Sequence, residues 1–192
     1  MSNTETTIAT ILAAAEILFV EKNYADVSMR DIAHAAHVST GALYHHFPSK
    51  EKLYAAMLTA YMQRIRALTL EAIPAQGSCR ARLRALTRVF LAQRPAQRDV
   101  MRLLRRDVNA FKGRTRENMV RAYQSAVPDL VEQVLCDAIK RREIKNQDPR
   151  WLAWAYVALV ETTLSEYAQK KIGNLDARLD AVLDLFLNGA SL

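Results

Sequence analysis

The side chains best equipped for hydrogen-bond chemistry in this 192-residue sequence crowd into one stretch, SMRDIAHAAHVSTGALYHHF at residues 28–47. All four histidines, His34, His37, His45 and His46, lie there. Neighbouring residues on a helix point about 100° apart, so His45 and His46 cannot close on one ion and no metal is expected. Cys79 and Cys136 are far apart with no CxxC pair or local zinc set around them, and they read as reduced thiols. No Ser/His/Asp spacing, HExxH or phosphate-cradling glycine loop is present. Catalysis is therefore not expected, and no cofactor is implied. What remains is recognition, with donors and acceptors displayed on a surface.

The elements that would display them are helices. Apolar residues recur at helical spacing almost from end to end, and no period-2 alternation persists long enough for a strand, so the fold class is all-α. The spacing predicts helices over 6–21, 28–36, 40–47, 50–73, 78–93, 96–109, 114–126, 128–142, 149–172 and 175–188. Ser28 and Ser39 can each accept a backbone amide and start a helix. Pro128 and Pro149 suit first helical positions, and Gly173-Asn174 separates the last two segments. Asn23 is expected to end the first helix in the left-handed conformation. Composition changes near residue 50, giving domains at 1–50 and 51–192. The opening MSNTETTIAT lacks the features of a signal peptide and no run of about 18 apolar residues occurs, so a soluble, cytoplasmic protein without membrane contact is expected.

A net charge of +7 suggests a polyanionic partner, yet its distribution is uneven. Residues 1–50 hold three Lys or Arg against five carboxylates, whereas residues 64–121 hold fifteen against four. Arg80, Arg84 and Arg88, with Arg98, Arg102 and Arg105 on the next helix, form ridges. These read as a solvated face or as a docking zone for an anionic ligand.

Only His37 and Val38 separate the two short helices of residues 28–47, which makes them a helix-turn-helix. In such a unit the second helix enters the DNA major groove. Thr40 and Gly41 are small enough to let the helix start approach bases, Tyr44, His45 and His46 carry hydrogen-bonding heads, and Lys50 is within phosphate range.

The apolar pattern of the first helix, Tyr24, then Ser28-Met29-Arg30-Asp31-Ile32-Ala33 and Val38 to Leu53 (VSTGALYHHFPSKEKL), closely resemble the N-terminal domain of the TetR (tetracycline repressor) family of transcriptional regulators. The resemblance covers about residues 4–64. It implies DNA contacts at Ser28, Arg30, Thr40, Gly41, Tyr44, His46 and Lys50, to which Ser39 and His45 are added. The family usually has Gly at the positions of Asn23 and His37; both residues here belong to the group that tolerates positive φ.

The predicted 149–172 helix is apolar on two stripes, one marked by Leu152, Tyr156 and Leu159, another by Ala153, Val157 and Val160, and the 175–188 helix repeats the pattern with Leu175, Leu179, Val182 and Phe186 beside Leu183 and Leu187. Such helices need cover on both sides. A second copy across a two-fold axis supplies it, as the resemblance also implies, so a homodimer through the last two helices and a palindromic double-stranded operator are expected. The middle helices leave room for an unknown small-molecule effector. The sequence thus predicts an N-terminal three-helix DNA-binding domain followed by a larger helical ligand-binding and dimerisation domain, acting as a repressor. An activator, a ligand-independent regulator, and a helical interaction module or enzyme are the alternatives.

Overall fold

The protein is seen in a computed structural model that describes residues 3–93, 100, 103 and 106–189. Among these residues every regular element is helical. The helices are α1 (Asn3–Glu21), α2 (Met29–Ala35), α3 (Thr40–His46), α4 (Lys50–Ala72), α5 (Cys79–Leu91), α6 (Gly113–Ala126), α7 (Pro128–Lys140), α8 (Pro149–Thr162), α9 (Glu166–Lys171) and α10 (Leu175–Asn188), with a 3-10 turn at Val108–Ala110. Most of the predicted 96–109 helix, including Arg98, Arg102 and Arg105, lies outside the described residues.

The chain forms two compact units. The first holds residues up to 63 together with the described part of 94–122, so the unit that contains α2 and α3 extends beyond residue 50. Its centre is built where α1 and α2 pack on each other and α2 on α3, with Ile11, Ala15, Phe19, Ile32 and Leu43 fully buried. An aromatic cluster adds to it: the Tyr54 ring meets Phe19 edge-on at 4.8 Å, Tyr24 at 5.0 Å and Phe111 stacked at 5.4 Å.

The second unit holds residues 64–93 and 123–189, where α7 packs on α5 and α8, and α10 on α5 and α8. Tyr156, fully buried, shares a 2.5 Å hydrogen bond with buried Thr87. A buried phenol has to find such a partner because its desolvation is otherwise uncompensated. Both cysteines are free thiols, and burial, assisted by Glu143, pushes the Cys79 thiol up to about 11, leaving it protonated and unreactive.

The structure corrects two local expectations. The helix predicted over 149–172 breaks after Thr162: Thr162, Thr163 and Ser165 each turn a hydroxyl onto the backbone carbonyl three residues back, at 2.7, 2.6 and 2.9 Å. Ser165 then accepts from the Ala168 amide and starts α9. Three hydroxyls in four residues compete with the helical ladder and end it. Asn23 is not left-handed either; instead its side-chain amide donates to Asp26 at 3.2 Å and its side-chain carbonyl accepts from Arg106 at 3.2 Å. His37 does adopt positive φ, 55°, and the Val38 amide closes the turn onto Ala33.

Candidate nucleic-acid interface

Both short helices start from a serine. Ser28 forms a full capping box with Asp31: its hydroxyl accepts the Asp31 amide at 3.1 Å while its own amide and hydroxyl donate to the Asp31 carboxylate at 2.9 and 2.7 Å. Those bonds from Ser28 hold the Asp31 carboxyl below its ordinary range. Ser39 accepts the Ala42 amide at 3.1 Å and starts α3. Both hydroxyls are therefore occupied in fixing where the helices begin.

The helix between Ser39 and Phe47 is held from one side only. Leu43 is fully buried and Phe47 nearly so, while Thr40, Gly41 and His45 are exposed and Tyr44 is 48% exposed. A Tyr in a helical bundle is usually core, so its exposure here sets this face apart. His46 is half-buried, with its ring centroid 5.3 Å from that of His45. Arg30, the second residue of α2, is exposed. A Cβ placed on Gly41 would meet nothing nearer than Ser39 Oγ at 4.0 Å, so the fold itself leaves that position open. Among the described residues, no group of three or more His, Cys, Asp or Glu is placed to hold a metal ion, and no helix is long and apolar enough to cross a membrane.

Lys50 differs from the expectation of a phosphate-range cation. Its ammonium donates to the carbonyls of Tyr24 at 2.7 Å, Val27 at 2.9 Å and Ala25 at 3.4 Å, and lies 4.5 Å from the centroid of the Tyr24 ring. An ammonium has three donors, and here all three are used to fasten the α1–α2 loop to the start of α4. The arginine ridge of α5 is also otherwise engaged. Arg80 pairs with Asp184 at 2.7 Å and Asp180 at 3.4 Å, Arg84 with Asp176 at 2.7 Å and with Asp180, and Arg88 with Asp176. This is a partly exposed ion-pair ladder between α5 and α10, a solvated face whose arginine charge is already met by carboxylates.

Sequence reasoning missed the segment that braces the first unit. The Tyr54 hydroxyl donates to Asp107 at 2.6 Å, and Arg106 pairs with the same carboxylate at 2.6 Å. Burial works to raise the Asp107 carboxyl, but the hydrogen bonds from Arg106 and Tyr54 outweigh it and hold the group below its ordinary range. No local signal marks the segment, because the partner of Tyr54 lies 53 positions along the chain. A half-open groove of about 400 Å³ also lies in this unit, lined by Leu12 of α1, by α4 from Lys52 to Gln63, and by Thr115 and Asn118 of α6.

Residues 11–57 match the family described as bacterial regulatory proteins, tetR family. Three curated relatives align with parts of the chain. The TetC protein of transposon Tn10 in Escherichia coli is 44% identical over 28% of this chain and 27% of its own length. The transcriptional activator FasR of Mycolicibacterium smegmatis is 36% identical over 42% of this chain and 36% of its own. The transcriptional repressor KstR2 of Rhodococcus jostii is 36% identical over 40% and 37%. The chain thus spans about a third of the length of the curated relatives it matches. Solved structures share the fold across nearly the whole chain. The TetR-family regulator PfmR of Thermus thermophilus gives a TM-score of 0.72 at 21% identity, covering 95% of this chain and 99% of its own. AibR, solved with isovaleryl coenzyme A and operator DNA, gives 0.75 at 23%, covering 94% and 98%. FadR of Bacillus subtilis, solved with stearoyl-CoA, gives 0.77 at 17%, covering 95% and 99%.

Proposed function

We propose that this chain is a TetR-family transcriptional regulator, a homodimeric repressor released from a palindromic operator by a small molecule, on the strength of the tetR-family match in residues 11–57 and a fold shared with PfmR across the chain. The observation that carries the proposal is the outward polar face of α3, held from behind by Leu43 and Phe47. In this reading Thr40, Gly41, His45 and His46 face base edges in the major groove, Tyr44 and Arg30 reach phosphates, and Ser28 and Ser39 set the helix starts that face the backbone. Lys50 acts through the loop it fastens.

Two copies follow from exposed apolar surface in the second unit. Trp151 is 69% exposed, Trp154 37% and Leu185 45%, on α8 and α10. Covering them with a second chain gives a two-fold dimer that carries two recognition helices, one for each half of a palindrome. The effector reading draws support from the acyl-CoA thioesters held by AibR and FadR, and these are the first compounds to assay. A ligand that prefers one arrangement of the dimer over another would change operator affinity by roughly 5–150-fold.

Selection of binding sites from a random duplex pool tests this directly. A two-fold-symmetric motif, bound by a dimer in sedimentation and weakened by an acyl thioester, is the expected result; binding without sequence preference overturns it. A reporter assay with the operator in its promoter separates repression from activation, the second reading that the relative FasR favours.

A further inference from the structure

We propose that Lys112, Arg114 and Arg116 form a second surface for the phosphate backbone of the same duplex, beside the helix-turn-helix. The proposal rests on the DNA-binding reading above and adds a partner surface to it. Double-stranded DNA carries one negative charge per about 1.7 Å of axis, so a protein that binds it needs uncompensated cations. Residues 1–50 do not supply them, with three Lys or Arg against five carboxylates. One of the three, Lys50, has its ammonium against backbone carbonyls.

The same compact unit finds its cations elsewhere. Residues 106–122 hold five Lys or Arg against two carboxylates. Of those carboxylates, Asp107 is consumed by Arg106 and Tyr54, which leaves Glu117 facing four cations. Lys112, Arg114 and Arg116 are exposed, and among the described residues Arg116 donates to a neutral group, the Asn109 side-chain carbonyl at 3.5 Å. Thr115 is buried, so Arg114 and Arg116 emerge on either flank of the first turn of α6 while Lys112 lies just ahead of it. The Arg80, Arg84 and Arg88 ladder shows the contrary case, arginines whose charge is already met.

Location follows from the anchors. Phe111 stacks on Tyr54 and meets the Tyr24 ring edge-on at 5.3 Å. The same Tyr24 ring has the Lys50 ammonium 4.5 Å from its centroid. Lys112 directly follows Phe111, which shares the Tyr24 ring with Lys50, the first residue of α4, and only Phe47, Pro48 and Ser49 separate Lys50 from α3. A duplex seated on α3 would bring flanking phosphates toward this corner. The contact would carry no base information, because it is made to the backbone alone.

The test is the salt dependence of binding by the full chain. Lys112→Ala/Arg114→Ala/Arg116→Ala is expected to weaken operator and unrelated duplexes alike, by about tenfold near 0.1 M salt, and to make the slope of log affinity against log salt shallower by about 0.9 for each phosphate no longer neutralised. The charge-keeping variant Lys112→Arg/Arg114→Lys/Arg116→Lys should retain the slope, and Gln at all three positions replaces Ala if the alanine variant melts early. An unchanged slope in a folded charge-removed variant overturns the inference and leaves the regulator reading standing. Failure of the unsubstituted chain to bind any duplex overturns that reading itself.

Discussion

On α5, Arg80, Arg84 and Arg88 stand four residues apart and meet Asp176, Asp180 and Asp184, which stand four apart on α10. On α2 and α3, Arg30, Thr40, Tyr44 and His45 are exposed and no opposing row of side chains is fixed against them among the described residues. The first region is rich in charge and has spent it internally; the second has little net charge and keeps its polar heads outward. Formal charge along a sequence therefore says little about where a polyanion binds. The quantity that matters is the charge left over after the fold has made its own pairs.

The largest expected effect lies on the outward face. Thr40→Ala/Tyr44→Ala should lower operator affinity about a hundredfold, roughly 2–3 kcal/mol, while leaving the melting temperature nearly constant. A variant that instead melts early and binds normally would erase the contrast between the two regions. Next comes Tyr54→Phe, which removes a bond to Asp107 and should destabilise the first unit by about 1–2 kcal/mol in a denaturant titration. The acid limb adds a sign. Because the Asp107 carboxyl is held low in the folded protein, its contribution is present above its unfolded pKa and disappears as pH falls through the folded value. Tyr54→Phe should then shift acid unfolding to higher pH.

A smaller effect is expected for the ladder. Arg84→Ala should lower stability by under about 1 kcal/mol, since these pairs are partly exposed, and that loss should shrink further in high salt. Operator binding and its salt slope should not move, whereas Arg30→Ala should reduce the slope by about 0.9. The smallest change is at His37, held at φ 55°: His37→Gly relieves the left-handed strain but loosens the unfolded chain, so thermal melts should shift by a few tenths of a kcal/mol at most.

Much of this was readable from local chemistry. Ser28 and Ser39 open helices because each accepts an amide three residues further on, and Pro149 suits a first helical turn because it brings no amide of its own. The outward side of α3 was legible for the same reason, since Leu43 and Phe47 at i, i+4 fix the inward one. The features that escaped depend on partners distant in sequence or on competition. Asp176, Asp180 and Asp184 repeat the spacing of the arginines, but nothing local joins rows some 90 residues apart. Tyr54 and Asp107 are likewise separated by 53 positions. At Thr162 to Ser165 apolar periodicity continues on both sides, and hydroxyl competition for carbonyls leaves that periodicity intact while ending the helix.

Residue 41 carries a consequence for anyone who would engineer this protein. A glycine inside a short helix costs about 1 kcal/mol relative to alanine, and the fold offers it no steric excuse, since a methyl group there would make only an ordinary contact with Ser39 Oγ at 4.0 Å. Directed evolution rewarding heat resistance alone should therefore drift to alanine at this site and register it as an improvement. In the docking proposed above, the sturdier molecule would then meet its target with one carbon too many at the start of the recognition helix.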